Sequence, residues 1–312
     1  MFTKNLLPFQ DFLNESTKSQ LKKVMITRAE KLEDSHITGS EFKAKDYWKI
    51  ITRKTKNISH EFPVLNYDVT ALEQLIKSGE IDLKQVYNKP DARENVSSKS
   101  AFTEKHKDSN YMVPSVSNPK EISKLNFPIV AKPDNRHSGL GIQVFKDKKE
   151  LDEADLSKFS LFSEKIDIKS EHRFFVWRGE ILQWCKREPL DESTKDISKK
   201  KANEETNFAY ILTHGKPAEN IIKLCSYFSD AHKGLDFYAV DVAESKDGKL
   251  YVFEMNTEPG PIFGVMALVY RKIYEDWFKE KLTDETIDLL NEYRNNDIKE
   301  TLKDNPEWSV TK

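Results

Sequence analysis

The sequence predicts an α+β protein in two unlike parts, and three observations lead there. Glycine is unevenly placed: of ten glycines, only Gly39 and Gly79 precede position 139. The first 86 residues are rich in lysine, and residues 9–31 carry apolar residues at mixed three- and four-residue spacing, a helical pattern. From about Tyr87 the chain changes to short apolar runs bounded by turn residues, the pattern of strands and hairpins.

Taken in order, the first part offers one compact helix, ALEQLIKSGE, with Thr70 as its cap and Gly79 as its stop. No strand followed by a glycine-rich turn occurs there, so a dinucleotide site is not expected, and this part is architectural or substrate-facing. FPIVAKP and GIQVFK then read as strands around a polar loop, and Asp147 as the cap of a helix through KKELDEA. LFSEKI is another strand, and HRFFVWRGEILQWCKRE folds into two strands about Arg178 and Gly179. Residues 188–206 are polar and read as a mobile loop with solvated lysines. Residues 218–233 form an amphipathic helix stopped by Gly234, a hairpin follows, and a helical region begins near Ile262.

Composition narrows the function. Hydrophobic residues make up 38% and charged residues 33% of 312, which suits a soluble globular protein. A formal net charge of -2 gives no basic field, so nucleic acid is not an expected partner. Two cysteines, Cys185 and Cys225, lack metal-ligand spacing and are too few for a disulfide framework, which points to a reducing compartment. The opening MFTKNLLPFQDF is too soon interrupted for a signal peptide, and no run reaches the roughly 20 apolar residues of a membrane span. A cytoplasmic location is expected.

Chemistry concentrates in two places. FPIVAKPDNRHSGLGIQVF sets Lys132 at the end of a strand, just before a glycine-bearing loop. It suits a surface hairpin, a phosphate-covering loop, or a nucleotidyl site in which Lys132-Pro133-Asp134-Asn135 departs from KxDG at its last position. LDFYAVDVAESKDGKLYVFEMN is a hairpin whose Asp247 and Gly248 suit a two-residue type I′ turn. With that loop, Lys246 pairs with Lys249, and counting back sets Asp241 opposite Glu254, with Asn256 on the same face. Two like charges so placed need compensation, and two carboxylates with an amide carbonyl suit Mg²⁺ shared with phosphates. A register slip of one residue would instead turn one acid to solvent.

The order of these motifs resembles the ATP-grasp family, over roughly residues 88–275. NVSSK, ending at Lys99, is similar to the family's first ATP lysine; the Lys132 strand and loop resemble its phosphate-covering segment. SEKIDIKSEHRFFVWRGEIL resembles the adenine hinge and ribose carboxylate, and GLDFYAVDVAESKDGKLYVFEMNTEPG the magnesium signature. The resemblance implies an ATP-grasp fold, two α+β subdomains gripping ATP, spanning residues 87–165 and 166–312. Residues 1–86 would form an atypical, helix-rich first domain, because the family's usual α/β domain with glycine turns is not visible there. It implies that Lys99 and Lys132 neutralise the α- and β-phosphates, and that Ser138, Gly139 and Gly141 cover the triphosphate. Glu164, Lys165 and Ile166 would line the adenine, and Glu171 would accept from the ribose. Asp241, Glu254 and Asn256 would hold one or two Mg²⁺, with Mn²⁺ as a substitute, and Arg187 would stabilise the transferred phosphate. Each has an ordinary alternative: a solvated Lys99, an ion pair of Glu171 with Lys186, a rim position for Arg187. His137 touches phosphate or faces water. Glu258 and Pro261 depart from the small or polar residues more usual near the acceptor pocket.

The activity implied is an ATP-dependent carboxylate–amine ligase acting on small-molecule or peptide substrates through an acylphosphate. A small-molecule kinase on the same fold is the alternative, followed by a lysine-adenylylating nucleotidyltransferase and a nucleotide-binding protein without turnover. Neither the substrates nor the oligomeric state is legible.

Overall fold

The computed structural model describes residues 21, 24–27, 47–134, 140–191, 195, 207–260 and 262–311. Strand β1 (Met25–Thr27) is flanked by β2 (Lys49–Ile51) and β3 (Val64–Leu65), and β4 (Val86–Tyr87) follows β3. The order is β2-β1-β3-β4, and every pairing is parallel. Parallel neighbours need a crossover, and helix α1 (Val69–Lys77) lies between β3 and β4 in the chain. Met25, Ile51, Val64, Leu72, Leu75 and Val86 form the core between helix and sheet.

This corrects the expected helix-rich first domain. Most of residues 9–31 lie outside the described residues, but Met25, Ile26 and Thr27 are a buried strand. A short run buried on both faces shows no period of two, so it is not separable from a helical segment by pattern. The cap of α1 is also corrected from Thr70 to Asp68, whose carboxylate accepts from the Ala71 N–H at 2.8 Å. Gly79 follows the helix with φ +75, where a Cβ would be strained.

Beyond β4 come α2 (Pro90–Ser97) and α3 (Lys99–His106), separated by the extended residue Ser98. Strands β5 (Ser115–Val116), β6 (Ile129–Lys132) and β7 (Gln143–Phe145) follow. Then come α4 (Lys148–Asp152), capped by Asp147, and β8 (Leu161–Glu164). These four strands make an antiparallel sheet, β5-β8-β6-β7, over a core of Ile122, Ile129, Phe145, Leu151 and Phe162.

The larger sheet begins with β9 (Ile168–Trp177) and β10 (Glu180–Pro189). They turn at Arg178 and Gly179, both at positive φ. Next are β11 (Phe208–Thr213), helix α5 (Glu219–Ala231), β12 (Phe237–Ser245) and β13 (Leu250–Asn256). Helices α6 (Val265–Phe278) and α7 (Asp284–Asp304) precede the last strand, β14 (Ser309–Val310). The order is β13-β12-β9-β10-β11-β14, antiparallel apart from the parallel β11–β14 pair. Most of the expected loop over residues 188–206 lies outside the described residues.

The chain divides into two compact units, one of Met1–Tyr87 with Gly260–Thr301 and the other of Asn88–Pro259 with Leu302–Lys312. The expected division into 1–86, 87–165 and 166–312 therefore differs at its C-terminal end. Aromatic packing is the physical reason: Tyr270 of α6 meets Tyr47 and Trp48 edge-on, with ring centroids 5.7 and 5.6 Å apart. Tyr87 donates to Asp276 at 2.8 Å, and Trp277 Nε1 donates to the Glu61 carbonyl at 2.7 Å.

Candidate active site

Alternation along the strands of the larger sheet sorts its two faces. Phe174, Val176, Tyr238, Val240, Val242 and Met255 turn to one side and pack with Leu224, Cys225 and Phe228 of α5. The intervening residues occupy the other face: Glu171 and Arg173 on β9, Arg187 on β10, Asp241 on β12, Glu254 and Asn256 on β13. Cross-strand register sets Asp241 between Glu254 on one side and Arg173 on the other, and Glu171 beside Arg187.

Asp241 does lie opposite Glu254, but by a different route from the one expected. The loop has three residues, since the Ser245 N–H donates to the Lys249 carbonyl and the Gly248 N–H to the Ser245 carbonyl, both at 2.9 Å. Gly248 takes the positive φ, +84. Val242 then pairs with Val252, one residue out of the predicted register, and a bulge at Phe253 restores it. The bulge also sets Phe253 beside Glu254 on the charged face, where its ring lies 5.2 Å from the Lys132 ammonium.

Charge compensation at Asp241 comes from two guanidinium groups, which corrects the inference that the acid pair calls for a metal. Arg173 binds Asp241 through two bonds, Nε to Oδ1 at 2.7 Å and Nη2 to Oδ2 at 2.8 Å, and Arg187 Nη1 reaches Oδ2 at 2.9 Å. Burial alone would raise the Asp241 carboxyl, but Arg173 and then Arg187 outweigh it and hold the group below its ordinary range. Glu171 is raised, chiefly by burial and further by Asp241, although Arg187 and Lys132 oppose the rise. Its partner is Arg187 at 3.6 Å rather than Lys186, which pairs with Glu188 at 2.6 Å. Arg187 is not a rim charge: its side chain is 13% exposed, and its guanidinium lies 4.0 Å from the centroid of the Phe208 ring. Its Nε is buried without a hydrogen-bond partner among the described residues. Such an orphan in a polar site is expected to receive an anionic oxygen from a ligand.

The two lysines reach this face from other elements. Lys132 ends β6 and is depressed, first by burial and then by the Lys99 charge, against the opposing pull of Glu254 and Glu171. Lys99 opens α3 and donates to the Asp134 carbonyl at 3.4 Å. The structure thus brings together Lys99, Lys132, Glu171, Arg187, Asp241 and Glu254. Gly141 has φ +78. Ser138, Gly139 and His137 lie outside the described residues, as does Pro261. In the hinge, the Glu164 carboxylate accepts from the Asn126 N–H at 2.9 Å and its Nδ2 at 2.8 Å, and the Lys165 N–H donates to the Pro128 carbonyl at 2.8 Å. The Glu164 side chain therefore holds its own loop, and for Glu164 and Lys165 backbone carbonyls are the groups left for a base. Ile166 follows them in the chain, ahead of β9.

Two residues of the face were not singled out in the sequence. Arg173 sits two positions beyond Glu171, so the period of two on β9 could have found it. Phe253 had no sequence signal, because it joins the face only through the bulge.

Magnesium fits this donor set with one restriction. No group of three or more His, Cys, Asp or Glu residues able to hold a metal occurs among the described residues. The acid pair with Asn256 still offers hard oxygens. Glu254 has no hydrogen bond or ion pair among the described residues, while Asn256 Oδ1 accepts from the Glu258 N–H at 2.9 Å and keeps a second lone pair. Asp241 has three guanidinium bonds on its two oxygens, so Glu254 and Asn256 are the better-placed ligands.

Comparison with known proteins gives the same architecture. Residues 85–258, more than half of the chain, match a family described as an ATP-grasp domain, the third family of its clade. Among solved structures, the ATP-grasp ligase PsnB complexed with a minimal precursor aligns over 87% of this chain and 99% of its own, at 12% identity and TM-score 0.54. PsnB with a phosphomimetic variant of that precursor, Mg and ADP aligns over 87% and 98%, at 12% identity and TM-score 0.51. D-alanine–D-alanine ligase from Bacillus anthracis complexed with ATP aligns over 89% and 98%, at 18% identity and TM-score 0.51. At these identities the likeness is one of fold. With a family match over the residues that build the charged face, the chain belongs to the ATP-grasp family.

Proposed function

We propose that this protein is an ATP- and Mg²⁺-dependent ligase that joins a carboxylate to an amine. The observation that carries the proposal is the buried, unpartnered Nε of Arg187 in a site where Lys99, Lys132, Arg173 and Arg187 outnumber Glu171, Asp241 and Glu254. A fixed excess of cations in a water-poor recess favours a polyanion, and the triphosphate of ATP is the one this fold family handles. The structural neighbours named above as ligases act on a peptide precursor and on D-alanine, which supports ligation over other phosphoryl transfers.

Lys99 and Lys132 would act as point charges on the α- and β-phosphates, and backbone around Gly141 would cover them. Glu164, Lys165 and Ile166 would border the base, and Glu171 the ribose. Mg²⁺, held by Glu254, Asn256 and Asp241, would neutralise β- and γ-oxygens. Mn²⁺ would substitute. Arg187, clamped by Asp241 and stacked on Phe208, would direct its Nε at the transferred group. The substrate carboxylate oxygen attacks the γ-phosphorus, the bond to the β–γ bridging oxygen breaks, and ADP leaves with an acylphosphate formed. The amine nitrogen then attacks the acyl carbon, phosphate departs, and the nitrogen loses a proton. Positioning and charge do the catalysis, and no side-chain nucleophile is required. A cytoplasmic location is part of the same reading. No described helix is long and apolar enough to cross a membrane.

The test is a screen of amino acids and peptides, as carboxylate and amine partners, for stimulated release of ADP and phosphate. An amide product with free phosphate is expected. A phosphoester with ADP would make the protein a kinase. Retention of label from α-labelled ATP on Lys132 would make it a nucleotidyltransferase.

A further inference from the structure

Lys99 and Lys132 come from different elements, the start of a helix and the end of a strand, yet both must meet one triphosphate at a fixed separation. Asp134 joins those elements. It lies two residues beyond Lys132, on the loop that leaves β6, and its side chain reaches the first turn of α3. Oδ1 accepts from the Ser100 N–H at 3.0 Å; Oδ2 accepts from the Ser98 hydroxyl at 3.0 Å and the Ser100 hydroxyl at 2.8 Å. The Asp134 main-chain carbonyl accepts from Lys99 Nζ at 3.4 Å. Burial of the carboxyl works against ionisation, but the Ser100 N–H, the two hydroxyls and the Lys99 charge together hold it below its ordinary range.

We propose that Asp134 is a positioning residue that sets the spacing of the two phosphate-binding lysines. A carboxylate at the first turn of a helix meets unpaired N–H groups and the positive end of the dipole, so the contact is favourable in itself. Ser98 is the N-cap of α3, and its hydroxyl also accepts from the Ala101 N–H at 3.2 Å, so the cap and the clamp are one network. The first turn of α3 therefore cannot shift without breaking bonds to the Lys132 loop. Asp suits the position better than Asn, because an amide has one acceptor oxygen, whereas three donors arrive here.

The inference rests on the reading of Lys99 and Lys132 as phosphate ligands, and the experiment separates the two. Binding of Mg·ATP and of adenosine is measured by calorimetry for the full chain and for Lys99→Ala, Lys132→Ala, Asp134→Ala, Asp134→Asn and the Lys99→Ala/Asp134→Ala pair. In Asp134→Ala, Mg·ATP is expected to bind about tenfold more weakly with adenosine affinity unchanged, a coupling of about 1.4 kcal/mol. Asp134→Asn should fall between Asp134→Ala and the unsubstituted chain. The effect should largely vanish in the Lys99→Ala background, because Asp134 acts through Lys99. Equal loss of Mg·ATP and adenosine binding, or full additivity with Lys99→Ala, would overturn the positioning role while leaving the ATP site intact. If neither lysine substitution weakens Mg·ATP binding, the phosphate reading itself fails, and this inference falls with it.

Discussion

The two faces of the six-stranded sheet bury ionisable groups in opposite ways. On the α5 side, Cys225 is pushed up to about 12, and His106 and His232 are lowered to about 4, mainly by burial. These groups stay neutral. On the other side Asp241 is just as enclosed, yet it is held ionised by Arg173 and Arg187. Burial alone therefore does not decide charge state; a partner of opposite sign within hydrogen-bond reach does.

The largest expected effect tests the charged face at its centre. Asp241→Asn strands Arg173 and Arg187 in a buried site, so urea unfolding should show a loss of about 3 kcal/mol or more, together with loss of Mg²⁺-dependent ADP release. Glu254→Gln makes the complementary case, since Glu254 has no ion pair among the described residues. Turnover should fall about 100-fold or more, with the unfolding midpoint nearly unchanged. Wild-type turnover in both variants would remove the metal assignment.

The apolar face should give the converse result. Phe174 is 1% exposed, and Phe174→Ala should cost about 3–5 kcal/mol of stability while the folded fraction keeps its ATP affinity. A selective loss of ATP binding instead would mean that the two faces are not separable.

The smallest effect comes from the neutral pair His106 and His232, whose Nε2 atoms are 2.7 Å apart, with Lys105 beside His232 and Tyr227 beside His106. A histidine held below its unfolded value takes up its proton more readily in the unfolded chain. Their contribution is therefore complete above about pH 6.5 and is lost as pH falls toward about 4. Denaturation midpoints should decline across that window, and the decline should flatten in the His106→Gln/His232→Gln variant. Asp241 gives the acid limb below it: its depressed carboxyl stabilises above the unfolded aspartate range, and that contribution is lost as pH falls through the folded value.

How much was legible differs by region. GLDFYAVDV and YVFEMN carried the charged face into view, because alternation on a strand is written in the residues themselves. The predicted pairing of Asp241 with Glu254 held even though the turn was misjudged; a bulge at Phe253 offset the longer loop. No spacing rule announces a bulge, since it depends on what the ring of Phe253 meets. The first domain was misjudged for a similar reason. Strands of two or three buried residues, such as Val64–Leu65 and Val86–Tyr87, carry too few positions to show a period.

Local pattern and motif order are one-dimensional, and they carried the ATP-grasp identity, the strand that ends in Lys132, and the acid–acid–amide set on the last hairpin. Three further features needed the folded chain: Arg173 and Arg187 neutralise Asp241, Gly260–Thr301 joins the first compact unit, and Asp134 reaches the start of α3. Each of those depends on side chains far apart in the chain arriving within a few ångströms, and the local pattern carries no record of that distance.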